Sequence, residues 1–178
     1  MSKIKLDINS EQNILNMLMD SSSLTSDQMS KINATSPEIG KTKLETAIEL
    51  NFTDEKKIQK TLSANYSLEL ISLEKKVIDP KIRKIIDLRY LQDNLLVPFE
   101  MTGGILKIAI ADASKLGLMK NLKTITKMEP ELYAATISDI NDFIDRMSRQ
   151  ETKKISASNV KVEKVEKNKD ELIEVGSE

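Results

Sequence analysis

The chain has 178 residues, 27 basic against 28 acidic for a formal net charge of −1, and contains no His, no Cys and no Trp. Without His or Cys there can be no Ser-His-Asp triad, no Cys/His zinc site and no thiol nucleophile, and the commonest general base is missing. The charge balance argues against a dedicated DNA-binding protein, which would carry a basic excess, and the length suits one domain or two small ones.

The N-terminal MSKIKLDINS lacks the apolar core of a signal peptide. No apolar run approaches the roughly 20 residues that a membrane-spanning helix needs. A cytoplasmic protein is expected, unless a partner carries it to a membrane. The first third reads as short helices. Ile14, Met17 and Leu18 share one helical face, and the serines at 21–23 end it. Thr25 to Gln28 is a capping box, with the Thr hydroxyl serving the third amide and Gln28 reaching back. Residues 33–42, NATSPEIGKT, read as a loop. Leu44, Ala47 and Ile48 mark a further helix, and Phe52-Thr53 leads into one carrying Ile58 and Leu62. Two halves thus share one plan of helix, turn and helix.

After Tyr66 the pattern changes, and a strand is predicted near 69–73. Asp79-Pro80 starts a helix, with Asp as N-cap and Pro in the first turn, and Ile82, Ile85, Ile86 and Tyr90 form its stripe. A strand is predicted over 95–101, where Pro98 restricts it to an edge or a bulge. Thr102-Gly103-Gly104 is a hairpin turn into a strand over 105–111, the best of the chain. A helix over Leu118–Ile125, ended by Glu129-Pro130, a strand over 132–136, and a helix marked by Ile140, Phe143, Ile144 and Met147 complete the order. From about residue 150 the chain is charged, with isolated valines, and reads as a disordered tail or linker. The expected fold is α+β: a helical subdomain over 1–66, an α/β subdomain over 67–149 built on a small sheet with flanking helices, and the tail over 150–178.

Candidate sites are few. GGILKIAIADAS at 103–114 has the strand-loop-helix shape of a phosphate corner, but its glycines precede the strand and Asp112 would repel phosphate. The expectation is that Leu106, Ile108 and Ile110 face the core while Asp112 or Ser114 caps the next helix. Gly40-Lys41-Thr42 ends like a P-loop without the upstream glycine, and reads as a surface loop. The helices behind Thr25 and Thr53 have the outline of helix-turn-helix readers, yet the mixed charges of EKKIQK read better as a solvated face. Asp139, Asp142 and Asp145 have the spacing for a metal, but near a helix start such carboxylates favour the dipole. No catalytic residue, no metal ligand and no defined cofactor-binding residue is assigned.

The wording of several segments carries a resemblance. ETAIELNFTDEKKIQKTLSANYSLELISL, and the stretch from VIDPKIRK through VPFEMTGGILKIAIADAS to ISDINDFIDRM, resemble the MshEN-like N-terminal domain of the type II secretion and type IV pilus assembly ATPases. Val97-Pro98 and Ala109 to Asp112 match the family's pattern, while Ala113 replaces the corner's usual Pro. The likeness spans about residues 12–148. The family's ATP chemistry lies in a later domain with Walker motifs, so the chain is expected to be a docking and regulatory domain and not an enzyme, either stand-alone or cut in a linker. The resemblance implies as partners the cytoplasmic domain of an inner-membrane platform protein and a motor ATPase. Some family members bind cyclic di-GMP through paired Arg-Leu-Gly-x-x-Leu segments. Here these fall at Asn13–Leu18 and around Thr42–Leu44, with the Arg and Gly replaced in both. The expected cofactor is therefore none, with a cyclic di-GMP sensor as the alternative.

Overall fold

The computed structural model describes residues 6–153 together with 155 and 156. They fall into two units, Met1–Ile144 and Asp145–Glu178. The first carries both the helices of the N-terminal third and the sheet.

Side chains that cap the helices fix their starts. α1 (Ile8–Asp20) begins where Asp7 accepts the Ser10 amide at 2.7 Å, and it buries Ile14, Leu15, Met17 and Leu18. α2 (Ser26–Ile39) opens on the Thr25–Gln28 capping box, with both of its hydrogen bonds present. A second box, Thr42 with Glu45, starts α3 (Lys43–Glu49). Asp54 caps α4 (Glu55–Tyr66), which buries Ile58 and Leu62.

The expected loop over 33–42 is a correction: α2 runs through it to Ile39. Pro37 sits in the last turn of α2, where its missing N–H removes a single helical bond. Burial of Ile32 and Ser36 outweighs the weak helix propensity of the Asn, Thr and Ser residues. Gly40, at φ +65°, then ends the helix in the left-handed conformation that glycine takes without strain.

The sheet has four strands in the order β1-β4-β3-β2. β1 is Glu69–Leu70, β2 Leu96–Thr102, β3 Ile105–Ile110 and β4 Glu129–Ala134. α5 (Pro80–Ile85), capped by Asp79, and α6 (Leu88–Asn94), capped by Asp87, lie between β1 and β2 in the chain. β2 and β3 are antiparallel across Gly103 and Gly104, whose φ values of +57° and +81° are what a two-residue hairpin turn of this hand requires. Pro98 is on an edge strand, next to a register shift between Pro98 and Glu100, so both restrictions placed on it hold.

β4 is parallel to both β3 and β1. It is reached from β3 through a 3₁₀ helix (Ala113–Leu118) and α7 (Met119–Thr126), which together replace the single helix expected over Leu118–Ile125. β4 starts at Glu129, earlier than expected, although Pro130 lies in a central strand. The alternation of the ladder explains this. Ala134 O accepts Ile71 N on the β1 side, and Ala135 N donates to Ile110 O on the β3 side. Pro130 therefore turns its missing N–H toward the β1 side, where β1 pairs only with Tyr133 and Ala134. The strand expected near 69–73 is correspondingly short.

Leu106, Ile108 and Ile110 are buried, with Leu96, Leu122 and Ala134 also in the core. On the other face of the sheet, Phe99 and Tyr133 meet edge to face, with centroids 5.3 Å apart. The last helix, α8, occupies residues 137–153. Thr136 Oγ1 accepts the Asp139 amide at 3.1 Å, and the Glu55 carboxylate accepts the Ser138 amide at 2.7 Å and its hydroxyl at 2.6 Å. Residues 150–153, expected to open the tail, are helical, and 157–178 lie outside the described residues.

Candidate functional site

Each sequence candidate can now be placed. At the strand-to-helix corner, Asp112 caps the 3₁₀ helix, accepting the Ser114 amide at 2.9 Å, and it also accepts the Ser114 hydroxyl. Asp112 is 1% exposed, and its Oδ2 is buried without a hydrogen-bond partner. It lines neither of the two grooves described below. The corner joins α1: the Ser10 and Ser114 hydroxyl oxygens are 3.4 Å apart, and the Lys115 ammonium, itself 5% exposed, lies 3.6 Å from Asp7. The Ser10 amide bond, helped by Lys115 and opposed by partial desolvation, holds the Asp7 carboxyl below the usual range. A buried ammonium paired to a helix-capping carboxylate is a structural join, and a phosphate would have to displace that carboxylate.

Gly40-Lys41-Thr42 is likewise spent on structure. Gly40 ends α2, Lys41 pairs with Glu49, and Thr42 caps α3. α1 and α3 are joined just ahead of the stretch Asn13–Leu18, where Glu11 Oε1 accepts the Leu44 amide at 2.9 Å. Ile14, Leu15, Met17, Leu18 and Leu44 are core residues, which leaves Asn16, Thr42 and Lys43 exposed and Asn13 half-buried. Asp139 accepts the Leu73 amide at 3.0 Å, and no group of three or more carboxylates able to hold a metal occurs among the described residues. Burial pushes the Tyr90 hydroxyl up, and the carboxylate of Glu131, accepting from the Tyr133 hydroxyl at 2.9 Å, does the same for Tyr133.

The surface with unspent chemistry lies around α4. Two grooves flank it and share Glu55 and Lys56. One, about 470 Å³, runs past Gln59, Leu70, Ile71, Ser72, Glu74, Thr136 and Asp139. The other, about 550 Å³, is lined also by Ile48, Asp54, Lys57 and Lys60. Among the described residues the side chains of Lys56, Lys57 and Lys60 have no ion pair, whereas both oxygens of Glu55 are engaged by Ser138. Gln59 donates to Ile71 O at 3.1 Å and to Ala134 O at 2.8 Å, closing the end of the β1–β4 pair.

The roles of Gln59, Glu55 and Lys115 were not found from the sequence. Gln59 offered one signal, a polar residue beside the buried Ile58 in an amphipathic helix. Glu55 read as an ordinary first-turn carboxylate, and Lys115 offered no signal.

The family model of the MshEN domain matches residues 66–154, half of the 178-residue chain. A solved structure of MshE with cdg matches with a TM-score of 0.56 at 19% identity, covering 75% of this chain and 96% of that one. The N-terminal domain of XpsE matches with a TM-score of 0.55 at 21% identity, covering 80% and 98%. At such identities these two establish a shared fold. No curated protein matches.

Proposed function

The chain belongs to the MshEN domain family, and from that premise we propose that it is a non-catalytic docking and regulatory domain of a bacterial type II secretion or type IV pilus system. It links a motor ATPase to the cytoplasmic domain of an inner-membrane platform protein, and is held at the membrane through that partner. The observation that carries this reading is the α4 surface, where the unpaired Lys56, Lys57 and Lys60 line one groove and Lys56 also lines the other. Exposed cations beside apolar lining residues such as Ile48, Leu70 and Ile71 suit a protein with an acidic rim, through steering and register. No helix of the described residues is long and apolar enough to cross a membrane.

Isothermal titration with the cytoplasmic platform domain tests the reading. Binding is expected, and the Lys56→Glu/Lys57→Glu/Lys60→Glu variant should lose at least about tenfold in affinity, with a reduced salt dependence. A platform domain that releases no heat and co-elutes with nothing sinks the proposal.

A second reading has one observation in its favour, the shared fold with MshE, solved with cdg. Read as cyclic di-GMP, that ligand would meet Asn13–Leu18 and Thr42–Leu44 here. These stretches lack the Arg that gives bidentate contacts and the Gly that allows close backbone approach. Calorimetry with the dinucleotide at millimolar concentration decides this, and no heat with no shift in Tm ends it.

A further inference from the structure

The outer edge of β1 continues beyond its two ladder residues. Ile71 N donates to Ala134 O at 3.0 Å, and Leu73 N donates to Asp139 Oδ2 at 3.0 Å. Both amides turn inward two residues apart, and this alternation turns the intervening peptide groups of Leu70 and Ser72 outward. These two are spaced as successive rungs of a new ladder. Ser72 is exposed and Leu70 is 50% exposed. No Pro, bulge or lysine blunts this stretch, although such devices are the usual protection of an open edge. The groove of about 470 Å³ lies against the same residues, with α4 as its far wall. Its charges are polarised: Lys56 is unpaired on the α4 side, Glu74 stands at the β1 end, and Glu55 and Asp139 are occupied by backbone and side-chain donors.

We propose that the 69–73 edge takes an extended segment of another protein by strand addition, with an apolar residue against Leu70, an acidic residue toward Lys56 and a basic one toward Glu74. Main-chain bonds to Leu70 and Ser72 supply affinity, and the groove reads side chains on alternate positions of the added strand. This goes further than the docking reading and uses the same wall of α4. It rests on that reading only in taking the occupant to be a protein.

The test requires no platform protein. A displayed library of random peptides is selected against the full chain, and the winners are measured against Ser72→Pro and Ser72→Ala. Pro at 72 deletes an outward N–H that the fold does not use, while Ala keeps it. Selected peptides should alternate apolar and charged residues, bind Ser72→Ala as well as wild type, and lose about tenfold or more on Ser72→Pro. Should Ser72→Pro fail to fold, hydrogen exchange of the wild-type complex replaces it, and the amides of Leu70 and Ser72 should slow. Peptides that ignore Ser72→Pro, unprotected amides at both positions, or no selected peptide at all overturn the proposal. A wild type that is dimeric in gel filtration beside a monomeric Ser72→Pro also overturns it, because the edge would then be covered by a second copy. A platform domain that fails to bind would leave this outcome unaffected, so the two readings fail separately.

Discussion

Along β2 the outer edge of the sheet carries Pro98 and a register shift before Glu100, with α5 and α6 in contact; along β1 there is neither proline nor register shift, and α4 is the helix in contact. The β2 edge is buried through Leu96–Phe99, while both β1 residues are exposed. The difference separates stability from availability. The β2 side holds apolar area that the fold needs, and its edge cannot be offered to another chain without losing that area. The β1 side contributes two ladder residues and is fastened from outside the sheet, by Gln59 at one end and Asp139 beyond it.

Substitution of matched leucines gives the largest contrast. Leu96→Ala, at a fully buried β2 position, should cost about 2–5 kcal/mol by chemical denaturation, and Leu70→Ala no more than about 0.5 kcal/mol. Similar costs would break the comparison. Next is the turn that sets the β2 register: Gly104→Val places a branched side chain at φ +81° and should destabilise by about 1–2 kcal/mol, without changing the exchange rate of the Ile71 amide relative to the global rate. Gln59→Ala should cost about 1 kcal/mol, and Ile71 should then exchange faster than its neighbours in β3, since only the β1 side loses its clasp.

The smallest effect is a pH dependence at the join of α1. Asp7 is held below the ordinary carboxylate range in the fold, so its stabilisation is present above that range, about pH 4, and disappears as pH falls through the depressed value. Wild type should therefore exceed Asp7→Asn in Tm at neutral pH, and the gap should close in acid. A gap constant down to pH about 2 would remove the Lys115 and Ser10 contacts from the account.

Much of the fold was readable because its signals are local. Caps at Thr25, Asp79 and Asp112, the Gly103-Gly104 turn and the alternation of Leu106, Ile108 and Ile110 all act within a few residues. What the sequence hid depends on packing partners. α2 crosses a stretch rich in turn residues because Ile32 and Ser36 are buried, with α3, the next helix, packed against it. β4 tolerates Pro130 only because β1, far away in sequence, stops short of it. The candidate site was the least legible part: its groove is assembled from α4, β1 and the start of α8, and its one polar clue, Gln59, is an unremarkable residue in an amphipathic helix.

The strand order β1-β4-β3-β2 also sets an order of assembly. β2, β3 and β4 follow one another closely in the chain, through a two-residue turn and a short crossover, so their pairing closes small loops. Glu69 and Leu70 wait for Tyr133 and Ala134, and the loop between them spans α5, α6 and most of the sheet. The entropy of closing it favours late docking of β1. On the ribosome, the first strand made would thus be the last to be paired. Until β4 emerges, the segment that later forms the open edge is held only by its neighbour α4.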